Sequence, residues 1–141
     1  MCWGMSMEKL FEIRFPAKAE RLCLIRALVK EIVESIGCNK ELSDKLVIAV
    51  NEACMNIIQH AYRGDESGEI FFEMLNNGKE LHFRLVDYAK PIDLDSVKPR
   101  DLDDIRPGGL GTHFIAEIMD EYDIGHLDEK EGNYLNMKKK I

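Results

Sequence analysis

The sequence predicts an α+β fold of two layers, a mostly antiparallel sheet with about three helices covering one face. Two observations predict it. Short alternating or β-rich runs, two of them joined by Asn77-Gly78, point to hairpin-linked strands, and stretches of helical periodicity separate those runs. Helices that interrupt a set of antiparallel strands collect on the sheet's apolar face, because each element has only one apolar side to bury.

Residues 8–15 alternate apolar and polar, which predicts a first strand, and Pro16 ends it. From residue 17 to about 36, Leu22, Ile25, Val29, Ile32 and Ile36 recur at helical spacing, and Gly37 supplies a stop. Asn39 is a natural cap for a second helix, with Glu41 in its first turn, where negative charge is favoured. That helix runs to about residue 62 and is apolar nearly all round, so it is expected to be largely buried. Residues 68–75 and 80–87 form the hairpin around Asn77-Gly78. Residues 88–108 hold Pro91, Pro99 and Pro107 among many aspartates and have no sustained period, which predicts a long functional loop. A third helix is expected over 109–121, then a last hairpin of residues 122–127 and 133–141 around a turn at 128–132.

With 141 residues and 16.2 kDa, the chain has room for one compact domain, expected over 8–141 behind a short tail at 1–7. Acidic residues outnumber basic ones by 26 to 19, a net charge of −7 that argues against direct binding to nucleic acid or anionic lipid. No apolar run is long enough to span a bilayer, and the first residues carry no secretory pattern. Cys2, Cys23, Cys38 and Cys54 are widely spaced without a Cys-x-x-Cys, which fits free thiols in a reducing cytoplasm better than disulfides or a zinc site.

Three clusters carry candidate chemistry. Glu52, Asn56 and His60 repeat every four residues on the second helix. Each such step turns about 40° past a full circle and climbs about 6 Å, so the three share one stripe. Two readings of the stripe stay open: a solvated surface of hydrogen-bonding pairs, or polar groups kept on an apolar helix for a ligand. Asp87 ends an apolar strand ahead of Ala89 and Pro91, either as a plain turn former or as a carboxylate able to accept from a flat ligand's amino group. Finally, Gly108-Gly109-Leu110-Gly111-Thr112 opens a helix, where free amides and the positive dipole end suit phosphate oxygens. The Gly-Lys-Ser/Thr ending of a P-loop is absent, and Phe114 replaces the third glycine of a dinucleotide fingerprint.

In this order, the three clusters resemble the N, G1 and G2 boxes of the GHKL superfamily of ATP-binding proteins. The closer likeness is to anti-sigma-factor serine kinases of the RsbW/SpoIIAB type, carried by residues 51–62 (Asn-Glu-Ala-Cys-Met-Asn-Ile-Ile-Gln-His-Ala-Tyr) and by the Gly-Gly-Leu-Gly entry. Ile118-Met119-Asp120-Glu121 and the closing Gly132-Asn133 fit as well. The resemblance implies ATP and Mg²⁺ as cofactors, Asn56 as the magnesium ligand and Glu52 as general base. It places Asp87 at the adenine amino group with Ala89 beside it, Gly109, Gly111 and Thr112 around the phosphates, and His60 and Arg106 near them. Ala89 stands where the pattern usually has glycine, and Tyr134 where it often has threonine. The implied activity is phosphorylation of a serine on an antagonist protein, with capture of a sigma factor and pairing as a homodimer. A module that binds nucleotide and captures a partner without kinase activity is the alternative. The catalytic domain of a two-component histidine kinase is disfavoured, since too few residues precede the first strand for a helical hairpin bearing a phospho-acceptor histidine.

Overall fold

The computed structural model describes residues 7–90 and 109–141, with only the backbone for 109–113. In chain order the elements are β1 (Glu8–Pro16), α1 (Leu22–Ser35), α2 (Lys40–Asn56), β2 (Glu69–Asn76), β3 (Glu80–Asp87), α3 (Gly109–Ile118), β4 (Glu121–His126) and β5 (Asn133–Lys140). The five strands form one sheet in the order β1-β2-β3-β5-β4, every neighbouring pair antiparallel. The expected α+β, two-layer fold is the one observed.

Register puts one apolar row per strand on the same face. Phe11, Ile13 and Phe15 of β1 lie opposite Met74, Phe72 and Ile70 of β2. Phe72 and Met74 in turn face Leu85 and Phe83 of β3, and these face Leu135 and Met137 of β5. Phe72, Phe83, Leu85 and Met137 are fully or almost fully buried there, and Phe11 meets Phe72 edge-on with ring centroids 5.3 Å apart. Against this face α1 sets Leu22, Ile25, Val29 and Val33, while α2 sets Leu46, Ala49, Val50, Ala53 and Cys54. Burial pushes the Cys54 thiol up to about 12, so it is a neutral core group. Among the described residues no helix is long and apolar enough to cross a membrane.

Local chemistry sets the element ends. The Asn39 side chain accepts from the Leu42 amide at 2.9 Å and caps α2 as expected. Asn77 Oδ1 accepts from the amides of Lys79 and Glu80, and Gly78 takes φ +91°, closing the β2–β3 hairpin. Helix α1 begins later than the periodicity suggests, because the Ala17 amide bonds the Gly68 carbonyl at 2.9 Å and keeps the chain beside β2. The second helix is not buried all round: Ile48 is 46% exposed. Nor does it stay α-helical, since residues Ile57–Ala61 widen into a π turn. The Tyr62 amide reaches back five residues to the Ile57 carbonyl at 2.9 Å, and Arg63 and Gly64 end the turn at φ +52° and +84°. Helix α3 stops at Ile118, short of the expected end, because the Asp120 amide bonds the Lys138 carbonyl at 3.0 Å and draws the chain toward β5.

Candidate functional site

The widened end of α2, helix α3 and strands β3, β4 and β5 line a cleft that is partly open to solvent. The walls are mostly apolar: Ala53 and Ile57 from α2 and its π turn, Ile115 from α3, Tyr122 and Ile124 from β4, Leu85 and Leu135 from the sheet. Few polar side chains enter, and they come from separate parts of the sequence: Asn56, His60, Asp87 and Asn133. A dry wall with a handful of placed polar groups is what orients a ligand.

Asp87 is the most buried of the sequence-predicted polar residues whose side chains are described, 3% exposed, at the last position of β3. In register opposite it stands Asn133, the first residue of β5 and 2% exposed. The Asn133 side-chain amide donates to Asp87 Oδ1 at 2.9 Å, and the Ala89 backbone amide donates to the same oxygen at 3.0 Å. Asn133 also donates to the Lys90 carbonyl at 3.2 Å, fixing the chain just past the strand. Burial lifts the Asp87 carboxyl above the ordinary carboxylate range, while the bonds from Asn133 and Ala89 pull the other way. Gly132 packs so closely that a Cβ there would lie 2.5 Å from the Asp87 carbonyl oxygen.

Asn56 and His60 line the cleft one helical step apart, Asn56 half-buried and His60 exposed at the mouth, so His60 is not a core histidine. Glu52 lies one turn before Asn56 on α2, half-buried and outside the wall itself. Ala89 is buried and contributes its backbone amide to Asp87; its methyl does not line the cleft. Gly109, Gly111 and Thr112 form the first turn of α3, the helix that closes the cleft through Ile115. Arg106 and the expected 88–108 loop from residue 91 onward lie outside the described residues. The sequence marks Asn133 only within the closing Gly132-Asn133 pair and gives it no role, although the alternation of Asn133, Leu135 and Met137 places all three on the inner face of β5.

A mainly antiparallel sheet with helices on one face, and a cleft floored by a strand-ending aspartate, define a class of nucleotide-binding domain. Residues 15–139 match the histidine kinase-like ATPase domain, and the chain belongs to that family. It is 33% identical over 132 residues to the serine-protein kinase RsbW of Listeria monocytogenes, covering 85% of this chain and 84% of that protein. The serine-protein kinase RsbW of Bacillus pumilus is 32% identical over 125 residues, 82% of this chain and 77% of that one. Two solved structures share the fold. One is the SiaB–SiaC complex of Pseudomonas aeruginosa, TM-score 0.71 at 12% identity over 95% of this chain and 91% of that chain. The other holds the RsbU and RsbW domains of a Mycobacterium tuberculosis protein, TM-score 0.63 at 17% identity over 92% of this chain and 31% of that chain.

Proposed function

We propose that this chain is an ATP-dependent serine kinase acting as an anti-sigma factor, a cytoplasmic protein that phosphorylates a serine of a small antagonist and sequesters a sigma factor. The observation that carries the reading is the meeting of Asn56, His60 and Asp87 on one cleft in a chain similar to RsbW serine-protein kinases. In this reading Asp87 accepts from the adenine amino group, held for that task by Asn133 and the Ala89 amide. The Leu85, Ile124 and Leu135 side chains exclude water from the base. The first turn of α3, with Gly109, Gly111 and Thr112, offers backbone amides to the phosphates, and His60 and Arg106 attend the same end.

Phosphoryl transfer needs an aligned nucleophile and neutralised oxygens more than covalent help from the protein. Glu52 takes the proton of the serine hydroxyl as its oxygen bonds to the γ-phosphorus; the bond to the β–γ bridging oxygen breaks, and ADP leaves. Glu52 and Asn56 are one turn apart, about 6 Å along the helix axis, so base and phosphate end are held on one rigid element. Magnesium, when bound with the nucleotide, supplies the neutralising charge at the phosphate oxygens. Asn56 is the residue that would hold it. Among the described residues no cluster of three or more His, Cys, Asp or Glu side chains could hold a metal ion. A homodimer is the last part of the proposal, with pairing through the sheets as the expected mode.

Incubation with labelled ATP, Mg²⁺ and a candidate antagonist tests it. Glu52→Gln should slow transfer about 10²- to 10⁴-fold while leaving ATP affinity near wild type. Transfer by this variant at the wild-type rate removes Glu52 as base. ATP binding with no transfer to any candidate antagonist favours the partner-capturing module instead.

A further inference from the structure

The β2–β3 ladder ends at the pair Ile70 and Asp87. One step further out, Glu69 and Tyr88 stand opposite each other, and the Tyr62 side chain bridges them. Its hydroxyl accepts from the Tyr88 amide at 2.8 Å and from the Glu69 amide at 3.2 Å, and donates to the Glu69 carbonyl at 2.5 Å. One phenol thus joins the end of α2, the start of β2 and the residue that follows Asp87. The π turn delivers it there: Ala61 still lines the cleft, and Tyr62 leaves the turn toward β2. Gly68 makes the room, since a Cβ at that position would lie 2.6 Å from Tyr62 Cδ1. Two unrelated features, a widened helical turn and a side-chain-free residue, converge on placing this hydroxyl.

The path of the chain through residues 87–89 decides where the Asp87 carboxylate aims, because the Ala89 amide bonds that carboxylate and the Tyr88 amide bonds Tyr62. We propose that Tyr62 is a positioning residue for nucleobase selection, fixing Asp87 through the Tyr88 backbone so that the carboxylate meets an exocyclic amino donor. The proposal rests on the reading of the cleft as an adenine nucleotide site. Adenine presents an amino group where guanine presents a carbonyl oxygen, so a well-aimed carboxylate favours ATP over GTP, and a loosely aimed one discriminates less.

Calorimetric titration of Mg²⁺-ATP and Mg²⁺-GTP into wild type, Tyr62→Phe, Gly68→Ala and Asp87→Asn tests this. Phenylalanine keeps the ring and deletes the three hydroxyl bonds, leaving the Tyr88 amide without its partner and the Asp87 carboxylate less closely aimed. Tyr62→Phe should weaken ATP about tenfold, leave GTP nearly unchanged, and so narrow the ATP-to-GTP preference by the same factor. Gly68→Ala, which displaces the ring instead, should narrow it too, and supplies the test if Tyr62→Phe does not fold. Asp87→Asn should abolish the preference. An unchanged preference in both Tyr62→Phe and Gly68→Ala beside a lost one in Asp87→Asn overturns the role of Tyr62 alone, as does an equal weakening of both nucleotides. A preference that survives Asp87→Asn overturns the reading of the cleft, and the proposal with it.

Discussion

Replacing Asp87 with asparagine separates what the cleft costs the fold from what it gives the ligand. The side chain is 3% exposed and its Oδ1 takes bonds from Asn133 and Ala89. An asparagine keeps its own Oδ1 for both donors, so the geometry survives and only the charge goes. Without nucleotide the change should stabilise the protein at neutral pH, because burial has raised the carboxyl's pKa in the fold. The sign follows from linkage: a carboxyl raised on folding contributes stability below the ordinary carboxylate range, and that contribution is lost as pH rises through its folded value. The melting advantage of Asp87→Asn over wild type should therefore be largest near pH 7 and shrink toward pH 4, about the ordinary pKa of an aspartate. Nucleotide binding moves the opposite way. A hydrogen bond to a charged group is worth about 1.5–3 kcal/mol, so ATP affinity should fall about tenfold to a hundredfold. Paired melting curves at several pH values and a titration at neutral pH measure both effects. A variant that melts below wild type at pH 7, by a margin that does not change with pH, refutes a buried anion at Asp87.

Two further outcomes follow from the same geometry. Asn56→Ala should weaken ATP binding in the presence of magnesium and make the remaining affinity insensitive to EDTA, whereas wild type should lose affinity on chelation; titrations with and without chelator check both. Gly132→Ala should destabilise the fold by about 2 kcal/mol, since φ is +155° and the new Cβ would lie 2.5 Å from the Asp87 carbonyl oxygen. For a chain of this size that lowers the melting temperature by about 6 °C.

Much of this was legible along the chain, because the signals are local. Asn39 caps α2 through its own side chain, and Asn77 builds the hairpin from bonds within three residues. Period-two rows such as Leu81, Phe83 and Leu85 name the inner face of their strand without reference to any other. Asn56, His60 and Asp87 were legible as polar groups out of place in apolar runs. Other features depend on partners distant in sequence. Asn133 matters because β5 pairs with β3 and brings it opposite Asp87, a contact spanning 46 positions. Tyr62 reads as the last aromatic of a helix until the π turn and Gly68 direct it to Tyr88. The early stop of α3 likewise answers to Lys138 on β5 rather than to any residue near it.

The position of β5 has a consequence for how the molecule is assembled. Strand β5 follows β4 in sequence yet lies inside the sheet, wedged between β3 and β4, with no edge of its own. During synthesis β3 and β4 are both made before the strand that joins them, and until it arrives each leaves a ladder of backbone groups unsatisfied. Contacts of such long sequence separation are slow to close. A product cut short before residue 133 would lack the Asp87 partner, the floor of the cleft and the seam of the sheet together. The cleft and the seam of the sheet thereby depend on the same strand, so a chain that has not yet placed β5 holds no complete cleft.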